Sequence, residues 1–346
     1  MRFGVNLLSQ HTADRSQHDL YREMLEQATV AEELGFDALF LNEHHPFDRT
    51  EELWLQPLPA LAGLATRTSR IALGTNILVL PLYHPLRMAE DVAMIHAMSG
   101  GRFVLGVGIG YKAEEFEAYG VPLRQRVSRF EEQVEILRRV WGETKVAFHG
   151  RHFAFTSVSL PVQTFVRPAP PIWIGAEVNP AIARAARLGD AWLPADTSSI
   201  ALLRADYRVY REALERAGKR LDDLERPLMR ETFVLEDARQ ARETFAPYVL
   251  QKYREYWRSG APQLRAEFVD DAFTFEQLCE DRFIVGGPEE AIRQIERHRA
   301  ELGITHLIFR VQKKGMPHRD VLRVLRVLAE RVLPSFRERS RSRADA

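Results

Sequence analysis

The sequence alternates short runs of β-branched and aromatic residues with longer stretches of helical periodicity. This alternation is typical of βα units, in which helices connect parallel strands and pack against them. In the first unit, a strand over residues 3–8 precedes a helix over residues 19–34, which ends at Gly35. The same pattern predicts eight strands, over residues 3–8, 37–41, 70–80, 102–108, 172–175, 190–193, 228–235 and 305–311.

Eight such units predict an α/β fold of the TIM-barrel type, a (β/α)8 barrel. A doubly wound open sheet is the alternative that the same alternation allows. Two segments interrupt the rhythm, and we expect them to be insertions after strands 4 and 7: proline-rich residues 144–171 and helical, aromatic-rich residues 238–280. We therefore expect one barrel domain over residues 1–336 and a flexible charged tail over residues 337–346.

Composition limits the partners of such a domain. The 346 residues include 48 Lys and Arg and 48 Asp and Glu, so the formal net charge is zero. A neutral chain has no long-range field to attract nucleic acid or an acidic membrane, and no segment approaches the roughly 20 apolar residues of a membrane span. The single cysteine, Cys279, cannot form an internal disulfide. We expect a cytoplasmic enzyme that acts on small molecules.

The active site of a βα barrel lies at the C-terminal ends of its strands. The second strand ends in Asn42-Glu43-His44-His45. Because neighbouring strand residues point to opposite faces, we expect only one of the two imidazoles in the cavity; the alternative is that a histidine here only satisfies buried backbone carbonyls. Other strand ends carry Asn6, Thr75 or Asn76, Gly108 or Gly110, Gly175, Pro194 and Arg310. These residues lack the ligands of a catalytic metal, so no metal site is predicted and a metal-dependent hydrolase is the weakest alternative.

Two strand ends are suited to a flat or phosphorylated ligand. Residues 106–111, GVGIGY, lack the third glycine of the dinucleotide fingerprint but let the backbone approach a ring closely. Residues 175–180, GAEVNP, open a helix whose free amides could bind phosphate. A plain helix cap at Asn179 is the alternative, and Glu177 would repel an anion unless it points elsewhere.

Five segments with these features occur in one order: NEHHP (42–46), LGTNILVLPLYHP (73–85), SGGRFVLGVGIG (99–110), PIWIGA (171–176) and AARLGDAWLP (185–194). Together they resemble the bacterial luciferase-like, flavin-dependent monooxygenases, and the similarity extends from residue 1 to about residue 334. The resemblance implies a (β/α)8 barrel that forms a homodimer and binds reduced FMN from a separate flavin reductase. It also implies that O2 is activated as a flavin C4a-peroxide.

The resemblance assigns roles to individual residues. His44 falls where the family has a histidine that hydrogen-bonds the reacting oxygen or relays a proton, so it is the candidate catalytic residue. Gly74-Thr75 falls where the family has a strand bulge with a non-prolyl cis peptide against the flavin ring. The implied cofactor-binding residues are Gly74, Thr75, Gly108, Gly175, Ala176, Glu177, Val178 and Asn179, and the substrate-pocket candidates are Asn6, Glu43, Asn76 and Tyr111.

One departure from the family concerns the phosphate. Bacterial luciferases have an arginine at the position of Ile109, so either the flavin binds weakly here or Arg102, Lys112 or Arg310 replaces that arginine. The expected activity is oxidation of a small apolar organic substrate with reduced FMN and O2, rather than light emission from an aldehyde. Two alternatives remain on the same barrel: hydride transfer with F420 as the cofactor, and flavin binding without turnover.

Overall fold

The computed structural model describes residues 1–7, 9–45, 51–159 and 167–337. Its strands are β1 (Arg2–Leu7), β2 (Gln10–Thr12), β3 (Ala38–Leu41), β4 (Glu52–Trp54), β5 (Ala72–Thr75), β6 (Leu78–Val79), β7 (Phe103–Gly108), β8 (Val146–His149), β9 (Ala154–Val158), β10 (Ile172–Gly175), β11 (Ala191–Leu193), β12 (Pro227–Val234), β13 (Ile284–Gly286) and β14 (His306–Arg310). Its helices are α1 (Gln17–Glu33), α2 (Pro57–Arg67), α3 (Pro85–Met98), α4 (Ala113–Ala118), α5 (Arg126–Gly142), α6 (Asn179–Leu188), α7 (Ile200–Arg216), α8 (Ala238–Arg258), α9 (Pro262–Arg265), α10 (Phe275–Asp281), α11 (Pro288–Leu302) and α12 (His318–Val327).

The central sheet is parallel. Its strands follow the order β11-β10-β7-β5-β3-β1-β14-β12-β13, and β6 pairs with β7 beside this path. From β11 to β1 the strands lie in reverse chain order. This order is expected when each crossover places the next strand beside the previous one. Two antiparallel pairs lie outside the central sheet: β2 with β4, which are far apart in sequence, and the β8–β9 hairpin.

The sheet is curved, so that side chains from strands far apart in the strand order meet on its inner face. Inward-facing residues of one cluster include Leu193 of β11 and Ile308 of β14, which belong to opposite parts of the strand order. In the same cluster Phe40 stacks on Trp173, with ring centroids 5.3 Å apart. A second and larger apolar cluster lies between the outer face of the sheet and the helices. The described residues thus form a parallel, barrel-like sheet covered by helices, whose path has nine strands where eight were predicted and in which no described pairing joins β11 to β13.

Local chemistry sets several helix boundaries. Helix α11 begins at Pro288 and ends at Leu302, and Gly303, which the sequence predicts as its end, caps it with a left-handed φ of 65°. Helix α7 is capped by the Ser199 hydroxyl, which accepts a hydrogen bond from the Leu202 amide at 3.2 Å. None of the described helices is both long and apolar enough to cross a membrane.

The predicted third strand, residues 70–80, is interrupted in the structure. Strand β5 ends at Thr75, a cis peptide bond joins Asn76 to Ile77, and the chain then forms the short β6. The prediction that Gly74-Thr75 holds the cis bond is therefore wrong by two residues. The β-branched and apolar run continues through the break, which is why periodicity alone does not reveal it.

Further elements were not predicted, among them the three-residue strands β2 and β4. Strand β13 pairs with the second half of β12 and is only three residues long, so it carries little local signal. Helix α4 is also short. Helix α5 is long, and the helical spacing of its buried Phe130, Val134 and Leu137 would have been sufficient to predict it.

The two segments expected to be insertions contain regular structure. The β8–β9 hairpin lies within residues 144–171, of which residues 160–166 are outside the described residues. Helices α8 to α10 cover residues 238–281, between β12 and β13, and so end one residue beyond the expected insertion. Most of the expected tail, residues 338–346, is outside the described residues.

Candidate active site

The candidate site is the mouth of the barrel, at the C-terminal ends of the strands. Here Asn76, Ile77 and Met229 keep part of their surface accessible although they face the inside of the barrel. The side-chain amide of Asn76 lies 3.4 Å from Sδ of Met229, so the residue that follows β5 reaches across to β12. The mouth is therefore partly apolar and carries at least one amide group.

The loop after β3 separates its two imidazoles. His44 is half-buried, with its ring edge-on to Trp54 at a centroid distance of 4.8 Å. His45 is buried, with Nδ1 3.2 Å from the Tyr119 hydroxyl and Nε2 3.3 Å from a Glu43 oxygen. Of the two, only His44 has a substantial accessible surface.

Glu115 of α4 holds the His44 ring in place. Its Oε1 lies 3.4 Å from Nδ1 of His44 and 3.8 Å from Nζ of Lys112, and it accepts a hydrogen bond from the His45 backbone amide at 3.0 Å. Burial raises the pKa of Glu115, but these donors outweigh that effect and leave the pKa below its usual value. Glu115 was not singled out in the sequence, because α4 was not predicted.

The environment keeps His44 neutral near pH 7. Burial lowers the pKa of His44, and the neighbouring Glu115 carboxylate offsets this lowering only in part. An ionised carboxylate can only accept hydrogen bonds, so Nδ1 carries the ring proton and Nε2 keeps its lone pair. The pair can therefore accept a proton at Nε2 and stabilise the imidazolium that results.

Glu43, a predicted pocket residue, lies behind the mouth. It is only 2% exposed, and its carboxylate accepts hydrogen bonds from the Val79 amide at 2.6 Å and from the Tyr83 hydroxyl. Its own amide donates to the carbonyl of Ile77 at 3.3 Å. Glu43 thus braces the His44 loop against the segment that contains the cis bond.

Two of the predicted glycines shape the surface of the mouth. A Cβ atom at Gly108 would lie 2.8 Å from Cδ1 of Ile77, and one at Gly175 would lie 3.3 Å from its Cγ2. The absence of side chains at both positions lets Ile77 lie between β7 and β10. An apolar surface of this kind, next to the amide of Asn76, suits one face and one edge of a planar ring.

Gly74 and Thr75 have a different role from the one expected. A Cβ atom at Gly74 would lie 2.7 Å from the Phe40 ring, and the residue is buried within the sheet. The Thr75 hydroxyl donates to the Gly106 carbonyl at 2.7 Å and accepts from the Gly106 amide at 2.9 Å. The missing side chain of Gly74 and the Thr75 hydroxyl thus serve the contacts of β5 with β3 and β7, and the Thr75 hydroxyl is fully engaged by Gly106.

The start of α6 presents backbone to the mouth. The helix begins at Asn179, and Val178 occupies the cap position, so the predicted cap at Asn179 is wrong by one residue. Val178 is 51% exposed, whereas Ala176 is buried. The carboxylate of Glu177 accepts a hydrogen bond from the Gln263 side chain at 3.2 Å and is thereby directed toward α9. Burial raises the pKa of Glu177.

The remaining pocket candidates occupy contrasting positions. Asn6 is fully buried, donates from Nδ2 to the Phe40 carbonyl at 3.3 Å, and has no partner for Oδ1 among the described residues. Tyr111 is 70% exposed at the rim.

Of the three cations considered for the missing arginine, Arg102 is excluded. It lies at the start of β7, at the opposite end of the barrel, where it binds the carbonyls of Ile71 and Thr68.

The mouth also holds a cluster of charged residues that, apart from one member, the sequence did not indicate. We call Asp196, Glu231, Arg310 and Lys313 the mouth ion cluster. Nη1 of Arg310 lies 2.5 Å from Asp196 and 3.6 Å from Glu231, and Lys313 is in ion-pair contact with Glu231. The sequence did contain one signal for this cluster. Glu231 and Arg310 are charged residues that lie in buried strand segments, where charges are uncommon.

Known proteins are similar to this chain in sequence and in fold. The chain is 29% identical to an F420-dependent glucose-6-phosphate dehydrogenase of Nakamurella multipartita, over 91% of this chain and 92% of that one. It is 25% identical to the oxygenase component of a flavin-dependent trigonelline monooxygenase of Acinetobacter baylyi, over 98% and 96%. The crystal structure of the monooxygenase RslO1 of Streptomyces bottropensis superimposes with a TM-score of 0.82 and 26% identity, covering 97% of this chain and all of that one.

These similarities define the protein as an oxidoreductase of the group that uses flavin or F420. Residues 1–306 match the luciferase-like monooxygenase family. The chain belongs to that family, as its motifs indicate.

Proposed function

We propose that this chain is the oxygenase component of a two-component FMN-dependent monooxygenase that uses reduced FMN and O2 to oxidise a small organic substrate. The observation that carries the proposal is the His44–Glu115 pair at the mouth of the barrel. It offers a neutral imidazole, held by a buried carboxylate, and the preceding residue, Glu43, donates its backbone amide to the Ile77 carbonyl at 3.3 Å. Such a site can move protons to and from a reacting oxygen while apolar residues limit access of water.

The residues present fit FMN. The Ile77 side chain, flanked by Gly108 and Gly175, would lie against one face of the ring system, and the Asn76 amide would bind its polar edge. The backbone amides at the start of α6, near Val178, would hold the phosphate. Reduced FMN bound there would supply the electrons that activate O2.

His44 would act at Nε2. As a neutral imidazole it accepts a proton from the substrate or from a water molecule, and the Glu115 carboxylate then stabilises the imidazolium. The proton can be returned to the departing oxygen from the same atom. The Trp54 ring, edge-on to His44, shields one side of the imidazole from solvent.

The relatives support both the chemistry and its partner. Because one relative is the oxygenase component of a two-component enzyme, we expect a separate flavin reductase to supply the reduced FMN. RslO1, which is also a monooxygenase, matches this chain along nearly its whole length. We also expect a homodimer, which light scattering coupled to size exclusion would measure.

A second candidate is F420-dependent oxidation of an alcohol, favoured by the similarity to the glucose-6-phosphate dehydrogenase. In that reaction Nε2 of His44 would take the hydroxyl proton while hydride passes to F420. A phosphorylated sugar carries two negative charges and needs several free cations. In the mouth, Arg310 and Lys313 are already paired with carboxylates, which disfavours such a substrate.

The choice of cofactor separates the two candidates. The full chain would be titrated anaerobically with reduced FMN and, separately, with oxidised F420, and ligand fluorescence would report binding. We expect tighter binding of reduced FMN, and no F420 reduction when glucose 6-phosphate or a simple secondary alcohol is added. Reduction of F420 by either compound would replace the proposal with the second candidate.

A further inference from the structure

Strands β2 and β4 form a two-stranded ribbon at the mouth end of the barrel, which we call the β2–β4 ribbon. Strand β2 lies in the loop after β1 and β4 lies in the loop after β3, and β1 and β3 are neighbours in the central sheet. Within the ribbon, Gln10 pairs with Trp54 and Thr12 pairs with Glu52. The ribbon therefore joins two loops that follow the C-terminal ends of adjacent strands.

Glu52 fixes this ribbon in place. Its side chain is only 5% exposed, and Oε2 accepts hydrogen bonds from the Gln10 side-chain amide at 2.7 Å and from the Trp54 indole at 3.3 Å. Oε1 lies 3.0 Å from Nζ of Lys314, in the loop after β14, which is the strand on the other side of β1. Burial raises the pKa of Glu52, but these three donors lower it to about 2, so the carboxylate stays ionised.

The Trp54 ring connects this network to the candidate catalytic residue. Trp54 and Glu52 are two positions apart on β4, so their side chains lie on the same face of the ribbon. The indole donates its N–H to Glu52, while its ring is edge-on to His44 at a centroid distance of 4.8 Å. A ring at this distance occupies space that water would otherwise fill. Burial is the main cause of the low pKa of His44, and Trp54 contributes to that burial.

We infer that Glu52 is a positioning residue of the active site: it holds the Trp54 ring against His44 and so limits the access of water to the imidazole. Glu52 acts through Trp54 and need not touch the substrate or the cofactor. The inference rests on the proposed function only in that His44 is the catalytic residue there.

Two effects of removing the Glu52 carboxylate on His44 have opposite signs. Loss of a negative charge would by itself lower the pKa of the imidazole, because the imidazolium loses a favourable interaction. Displacement of the indole would instead raise this pKa, because the imidazolium would gain hydration. The sign of the change therefore distinguishes an action through Trp54 from an action through charge alone.

The test is the pKa of the His44 ring, measured by NMR titration of the full chain with isotope-labelled histidine. The spectrum of His44→Gln identifies the resonance. In Glu52→Gln the amide offers one acceptor oxygen to three donors, so the indole should lose its support. We expect the pKa of His44 to rise by about 0.5 or more. Glu51→Gln removes an exposed charge at the neighbouring position and should leave this pKa nearly unchanged.

A double-mutant comparison shows whether the effect passes through the indole. Trp54→Leu should raise the pKa of His44 by itself, and adding Glu52→Gln to Trp54→Leu should leave that pKa unchanged or lower it. Glu52→Asp keeps the charge but is shorter by one methylene group, so it should raise the pKa by a smaller amount. The groups whose charge most affects His44 are the same in all of these variants: Glu115, Lys112 and Lys252.

Thermal unfolding is the folding control, and Glu52→Asp takes the place of Glu52→Gln if the latter does not fold. A fall or no change in the pKa of His44 in the folded Glu52 variant would overturn the inference. A further rise when Glu52→Gln is added to Trp54→Leu, or an equal rise in Glu51→Gln, would also overturn it. The titrations need neither flavin nor O2, so their failure is distinct from failure of the proposed monooxygenase activity.

Discussion

Nδ1 of His44 lies 3.4 Å from Oε1 of Glu115, although 71 positions separate the two residues in the chain. The same carboxylate accepts the backbone amide of His45, so it fixes both the loop and the ring. This relationship determines which nitrogen of His44 carries the proton. It also makes the basicity of His44 depend on a residue that need not touch the substrate.

Glu115→Gln tests this dependence. The charge of Glu115 raises the pKa of His44, so its loss should shift the acid limb of kcat/KM to lower pH, because activity is lost when His44 becomes protonated. We expect kcat to fall about tenfold, the equivalent of roughly one pKa unit in the stability of the imidazolium. Glu114→Gln, on the same helix, is the matched control. An acid limb that stays in place would show that Glu115 does not set the protonation of His44.

His44→Ala tests the candidate catalytic residue itself. We expect product formation to fall about 10²- to 10⁴-fold, the usual contribution of a general acid or base, while the affinity for reduced FMN changes by less than about threefold. His149→Ala, in the exposed part of the β8–β9 hairpin, should behave as the wild type. Steady-state turnover and fluorescence titration measure the two effects. Unchanged turnover would remove His44 from the mechanism.

Gly108→Ala tests the surface on which the ring is expected to lie. The added Cβ would sit 2.8 Å from Cδ1 of Ile77 and displace its side chain into the mouth. We expect the dissociation constant of FMN to rise about tenfold, since roughly 1.4 kcal/mol of contact is lost. Gly142→Ala is the matched control, because nothing lies within 4 Å of a Cβ at that position. Equal FMN affinity in the two variants would place the ring elsewhere.

Glu43→Ala tests the brace behind the mouth. Its buried carboxylate accepts hydrogen bonds from the Val79 amide and the Tyr83 hydroxyl, and both donors would lose their partner. We expect the free energy of unfolding in urea to fall by about 3 kcal/mol. Glu51→Ala, at an exposed position, should change it by less than about 0.5 kcal/mol. A small loss in Glu43→Ala would mean that this network contributes little to stability.

The barrel was predictable because its signal is local and repeated. Each strand is a short apolar run, and each crossover helix shows its own periodicity, so an error such as the missing α5 does not alter the overall pattern. The cis bond at Asn76-Ile77 was misplaced because the apolar run continues on both sides of it. Motif resemblance located the region of the bond to within two residues.

The site was predictable only where its residues stand next to one another in sequence. His44 was identified because it follows a strand within a recognisable motif. Glu115 lies on a short helix that carries little periodic signal, and Asp196 is well separated in sequence from Arg310, its partner in the mouth ion cluster. Such contacts depend on how the loops fold over the barrel, which local patterns do not encode.

The central claim is that this chain holds reduced FMN and controls its reaction with O2. The most direct measurement is stopped-flow absorbance after the anaerobic complex with reduced FMN is mixed with oxygenated buffer. We predict that the absorbance of oxidised FMN returns in a phase clearly slower than that of free reduced FMN, and that substrate turnover depends on His44. Return of the absorbance at the rate of free FMN, with the protein in excess, would contradict the account.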